Sequence, residues 1–295
     1  MKRESSWFNA LFRNIPIVYI LACIVTSTIL GMAGHDLVTQ FLSRPPNTLS
    51  QSLGRYYFLA TFSIHILQAL AALILYELLN RHWKLKNFWI KVIAFALLLA
   101  VINENFLRRF IMEIIADHRN IDYEFLMIAV PAYITYVVVA WIIVTFNSYF
   151  KKIWSKIISL ILVALCYQYL ENMIHTFLLS IFQLNAGGQF TQGPYGLEVL
   201  IAIYATYLVP VTGMYLTYIW IRESFPQHGK GLLYFLLLVG VHGQLLGIFQ
   251  IATSQGNIFN RIFYYGSFWW ELLIVAFTIV FFIERREKNQ AMLRN

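Results

Sequence analysis

Arg108, His175 and His242 follow one another at intervals of 67 residues, each inside an apolar stretch. Two acid–amide pairs, Glu104-Asn105 and Glu171-Asn172, repeat the same interval. His65 and Glu271 add an imidazole and a carboxyl in two further apolar stretches. Carboxyls and imidazoles exchange protons and hold polar ligands, and a guanidinium grips carboxylates or phosphates. A charge inside a bilayer costs about 3 kcal/mol or more, so such groups face one another or a cavity. Glu104 with Arg108, Asn105 with Arg109, and Glu171 with His175 are spaced i,i+4, so each pair shares one helix face.

Three chemistries fit these residue types. The first is a carrier or sensor that binds a small solute or lipid in an intramembrane polar cavity, with proton coupling through Glu and His. Here Glu104, Glu171 and His175 form the expected centre, and Asn105, Asn172 and Arg108 orient or neutralise. His65, His242 and Glu271 reach a similar depth. An inward-facing Arg108 would suit an anionic headgroup. The second is an intramembrane hydrolase or transferase, metal-dependent or not, acting on a lipid or membrane-embedded substrate. There His175, His242 and Glu171 would hold a metal or activate water. The third is a b-type haem ligated by His175 and His242. No motif assigns a resident metal or cofactor: the chain has neither a phosphate loop nor His-Glu-x-x-His. The first chemistry is the leading expectation.

The elements that must place these residues are membrane helices. The chain of 295 residues is 59% hydrophobic and 12% charged, against about a quarter charged in soluble domains. Crossing a bilayer takes about 20 apolar residues. Eight stretches qualify, at about 15–33, 56–79, 88–112, 125–147, 155–183, 197–221, 231–252 and 262–283. They are continuously apolar without period-two alternation, so they are helices rather than barrel strands. The expectation is a single all-α, multi-pass membrane domain over residues 1–295. On a helix rising 1.5 Å per residue, Glu104 sits about 24 Å from the start of its span, in the half reached last.

Charge sets the orientation. Of the Lys and Arg residues, sixteen fall in the terminal segments and alternate loops of one side and four on the other. The positive-inside rule puts both termini in the cytoplasm and supports an even number of spans. The inner cell membrane is the expected location. The formal charge of +8 is a topology signal, not a nucleic-acid surface. The expected partners are the bilayer and a small solute or lipid, plus a protein if the role is regulatory, since no output domain is evident.

The 67-residue interval points to tandem two-helix repeats. His175-Thr-Phe-Leu-Leu-Ser-Ile-Phe-Gln-Leu184 matches His242-Gly-Gln-Leu-Leu-Gly-Ile-Phe-Gln-Ile251 at six of ten positions. Tyr133-Ile-Thr-Tyr136 and Tyr204-Ala-Thr-Tyr207 echo one another in even-numbered spans. An equal interval between parallel helices puts equivalent residues at equal depth, and repeat interfaces in membrane proteins often hold the binding site.

Overall fold

The computed structural model describes residues 15–41, 57–83, 85–104, 107–116, 120–150, 152–185, 196–226, 228–244, 246–253 and 257–292. All regular structure among them is helical. We number the helices α1 Ile17–Phe41, α2 Tyr57–His82, α3 Phe88–Ile102 and α4 Arg108–Ala116. Then come α5 Ile121–Tyr149, α6 Ile153–Phe182 and α7 Leu197–Ile221. The last four are α8 Lys230–Val241, α9 Leu246–Thr253, α10 Ile258–Tyr265 and α11 Ser267–Met292.

Six of these (α1, α2, α5, α6, α7 and α11) are long and apolar enough to cross a membrane. The fold is that of a multi-pass helical membrane protein. Two other apolar helices are shorter: α3 has 15 residues and α8 has 12. At 1.5 Å per residue they span about 22 and 18 Å, less than a hydrocarbon core of about 30 Å. The apolar stretch expected at 88–112 is therefore two helices, α3 and α4, and that at 231–252 is also two, α8 and α9. Average apolarity locates an apolar stretch but is blind to a turn inside it.

The helices pack as a ring in the order α1, α11, α8, α2, α6, α5, α3, α7 and back to α1. The α1–α11 contact is the most extensive. Gly31 makes it possible: a Cβ there would lie 2.7 Å from Val275 Cγ2. Small residues bring membrane helices together because dispersion, rather than water exclusion, drives their association. Two of the long helices contain a wider turn, at Glu124–Ala129 in α5 and Cys166–Leu170 in α6. Such π-bulges shift the helix face that follows them.

One end of the ring gathers both described chain ends and most described basic residues. The Tyr19 hydroxyl donates to the Phe282 carbonyl, and the Arg286 guanidinium lies 5.8 Å from the Tyr19 ring centroid. Glu284 on α11 accepts from Lys230 at 2.9 Å and from Tyr218 at 2.9 Å. Arg222 pairs with Glu287, and Lys156 with Glu77. These contacts bind α1, α7, α8 and α11 together, and α6 to α2, at the basic end. At the opposite end α3 and α8 have already stopped.

Candidate functional site: a charged cluster at two helix breaks

Helices α3 and α8 end in the same way. In α8, His242 is the C-cap and Gly243 follows with φ of +67°. Gly243 N–H donates to Gly240 O at 3.1 Å, and Gln244 N–H to Val239 O at 3.3 Å. That is the Schellman arrangement, in which a left-handed residue turns the chain out of the helix. In α3, Asn103 is the C-cap and Glu104 follows with φ of +62°, its N–H donating to Val101 O at 3.1 Å. Glycine adopts this backbone freely, whereas glutamate does so at a cost of about 1–2 kcal/mol. An acid held in a glycine conformation needs compensation from its side chain.

The side chain supplies it. Glu104 Oε2 pairs with Arg108 Nη1 at 2.9 Å, and its Oε1 stands 3.5 Å from His242 Nε2. The two breaks therefore meet through an acid and an imidazole. Arg108 Nη1 also lies 3.8 Å from Glu271 Oε1, at the start of α11. The guanidinium carbon sits 4.5 Å from the centroid of the Tyr207 ring on α7, and Nη2 reaches Met32 Sδ on α1 at 3.5 Å. The planar guanidinium thus serves two carboxylates and a π face together, which an ammonium could not. The side chains of Glu104, Arg108, His242 and Glu271 are 14, 11, 8 and 1% exposed. Charges at that burial persist because they are paired.

Polar neighbours fix the second break. Gln244 Nε2 donates to His242 Nδ1 at 3.0 Å, which leaves Nε2 of a neutral ring as the proton-bearing nitrogen facing Glu104. Trp269 Nε1–H donates to Gln244 O at 2.9 Å. The Val241 carbonyl, freed by the end of α8, accepts from Gln68 Nε2 at 3.2 Å. Gln68 Oε1 in turn accepts from His65 Nδ1 at 3.2 Å. A polar chain thus runs from His65 and Gln68 on α2 to the break at His242. From there it reaches Glu104, Arg108 and Glu271.

The structure divides the expected site residues into two groups. Glu104, Arg108, His242 and Glu271 come together, with His65 joined through Gln68. Glu271, next to Trp269 and Trp270, is a buried acid. Glu171, Asn172 and His175 lie on the outer part of α6, which contains no buried residue. Glu171 meets Arg109, not Arg108, at 3.6 Å, with both side chains about 40% exposed. Asn172 is exposed, and His175 is half-buried. Asn105 lies outside the described residues. Adjacent residues Arg108 and Arg109 so serve different partners, because α4 turns them to opposite sides.

Three participants escaped the sequence reading: Tyr207 as a π partner, Gln244, and Met32. Tyr207 had drawn notice only as part of a repeat echo, and nothing in a sequence says which ring a guanidinium will cover. Glu124, fully buried in the wide turn of α5, was also missed because it opens an apolar run.

The metal and haem chemistries gain no geometry here. Among the described residues, no group of three or more His, Cys, Asp or Glu is arranged to hold a metal. His242 Nδ1 accepts from Gln244, and its Nε2 faces the Glu104 carboxylate at 3.5 Å. Comparison of the chain with protein-family profiles, curated sequences and solved structures gave no match. The site is read from its own geometry.

Proposed function

We propose that this protein is an eight-crossing carrier or sensor of the inner cell membrane, with both termini in the cytoplasm. In this reading α3–α4 and α8–α9 are its two interrupted crossings. The observation that carries the reading is the Glu104–His242 contact, which joins two broken membrane helices at one depth. Discontinuous helices in the middle of a bilayer expose backbone carbonyls and amides that a ligand can use, and secondary transporters place their sites there.

Charge narrows the ligand class. Among the described residues the cluster sets two carboxylates and an imidazole around one guanidinium. Arg108 is already offset, so the site does not favour an anion. A proton on His242, or a small ligand bearing an ammonium group or several hydrogen-bond donors, brings the set to neutrality. Proton and ligand then compete for the same carboxylates, which is the chemistry of coupled exchange. The side chains are closed on one another here, as an occluded site requires.

A thermal-shift screen of the detergent-purified protein tests this. The panel holds amines, amino acids, sugars, carboxylates and phosphate esters. The expected result is stabilisation by amine-bearing compounds that is lost in Glu104→Gln and His242→Gln. Uptake of the same compound into proteoliposomes should follow an imposed pH gradient. A panel without hits, together with Glu104→Gln and Glu271→Gln variants as stable as the parent, would overturn the reading and leave the cluster incidental to both binding and stability.

A further inference from the structure

A second site lies on a different face of the fold. Residues 94–101 of α3 and 208–220 of α7 line a cavity of about 450 Å3 between the two helices, within the range of small-molecule pockets. Leu97 and Val101 line it from α3, Leu208 and Thr212 from α7, and Trp83 and Trp220 close its end. The two indoles meet edge to face with centroids 5.8 Å apart. Its one lining hydroxyl, on Thr212, donates to the Leu208 carbonyl of its own helix at 2.6 Å. Apart from the two indole N–H groups at the tryptophan end, the walls offer little to a polar solute.

The setting specifies what fills it. Its lining residues are apolar side chains of a multi-pass membrane protein, so lipid tails are the solvent that suits it. From Leu208 to Trp220 it runs about 18 Å at 1.5 Å per residue, close to the tail region of one leaflet. Its tryptophan end is where a headgroup would lie, since indoles favour the membrane interface. Arg81 and Lys86 flank Trp83 in sequence, and both are exposed. Basic residues close in sequence to the tryptophan end of an apolar cleft suit an anionic lipid headgroup.

We propose that this cleft binds one anionic phospholipid from the leaflet at the basic end. One acyl chain lies between α3 and α7, and the phosphate is held at the Arg81–Lys86 rim. The inner end of the chain reaches Val101, whose carbonyl caps the turn at Glu104. The lipid therefore packs against the last turn of the broken helix. The proposal does not depend on what the charged cluster binds.

The test is native mass spectrometry of protein extracted from vesicles of equal phosphatidylcholine and phosphatidylglycerol. The expected result is one retained phospholipid, enriched in phosphatidylglycerol. Each basic residue near an anionic headgroup contributes about fivefold, so Arg81→Gln with Lys86→Gln should lower the enrichment by about that factor per site. Leu97→Trp, which fills the cleft from its half-exposed rim, should abolish retention. Thr212→Leu supplies a milder filling if Leu97→Trp does not fold, and should at least weaken retention. Absence of retained lipid on the parent protein, or equal retention by a folded cleft-filled variant, overturns the proposal. Retention without preference for phosphatidylglycerol overturns its headgroup half.

Discussion

Glu104 Oε1 stands 3.5 Å from His242 Nε2, and each residue sits where its helix stops. Glu104 occupies the left-handed position of its turn, while His242 precedes the left-handed Gly243 of the other. The contact makes two local helix endings into one site. It also explains why a glutamate tolerates a glycine backbone: the ion pair with Arg108 and the contact with His242 hold it there.

The backbone and the carboxylate of Glu104 should be separable. Glu104→Gly removes the charge but suits the turn, recovering about 1–2 kcal/mol of backbone strain. It should fold with a melting temperature near that of the parent and lose ligand stabilisation. Circular dichroism on heating and the ligand thermal shift, measured on one sample, check both halves. Retained ligand response would mean that the carboxylate is not used.

Neighbouring arginines should differ sharply. Arg108→Ala leaves two buried carboxylates facing one another and should cost about 3–5 kcal/mol. Arg109→Ala removes a half-exposed pair with Glu171 and should cost less than about 1 kcal/mol. Arg108→Lys should not rescue, because a point charge cannot serve both carboxylates and the Tyr207 face. Unfolding in mixed micelles gives the three values. Equal costs at 108 and 109 would contradict the division of partners.

Gly243 is required by both conformation and space. Alanine there would carry φ of +67° and place its Cβ 2.9 Å from the Gln68 side chain. Gly243→Ala should destabilise by at least about 1–2 kcal/mol. Replacing the residue 67 positions earlier, Thr176→Gly, should cost only about 1 kcal/mol as a glycine in an exposed helix. Comparison of the two variants by thermal unfolding tests whether the turn depends on glycine at position 243.

Gln68→Leu keeps the size of the side chain but strips the Val241 carbonyl of its donor. The expected loss is about 1–3 kcal/mol. Hydrogen–deuterium exchange should quicken at residues 239–244, while the α1–α11 contact stays protected. Unchanged exchange at the break would show that Gln68 does not hold it.

The amide–carboxyl motifs and the 67-residue interval show what a sequence can and cannot carry. Apolar stretch lengths and the scarcity of charge were enough to read an all-helical membrane protein, because bilayer thickness sets helix length and lipid leaves no other way to satisfy the backbone. Burial cost marked Glu104, Arg108, His242 and Glu271 among nine candidates, with Glu171 and His175 expected nearer the centre than His242 or Glu271. The equal spacing of His175 and His242 did not carry equal structure. His175-Thr176 continues in a helix to Phe182, whereas His242-Gly243 leaves one. One glycine in place of threonine opens the left-handed region and lets the chain turn against Gln68.

Which acid met which base was a tertiary decision. Arg108 and Arg109 are indistinguishable as neighbours in a sequence, yet α4 sends one to Glu271 and Tyr207 and the other to Glu171. Sequence fixes depth along each helix through the constant rise per residue. Rotation about the helix axis, and the side on which a broken helix resumes, depend on packing around the ring. That is why Glu171 and His175 stand outside the cluster.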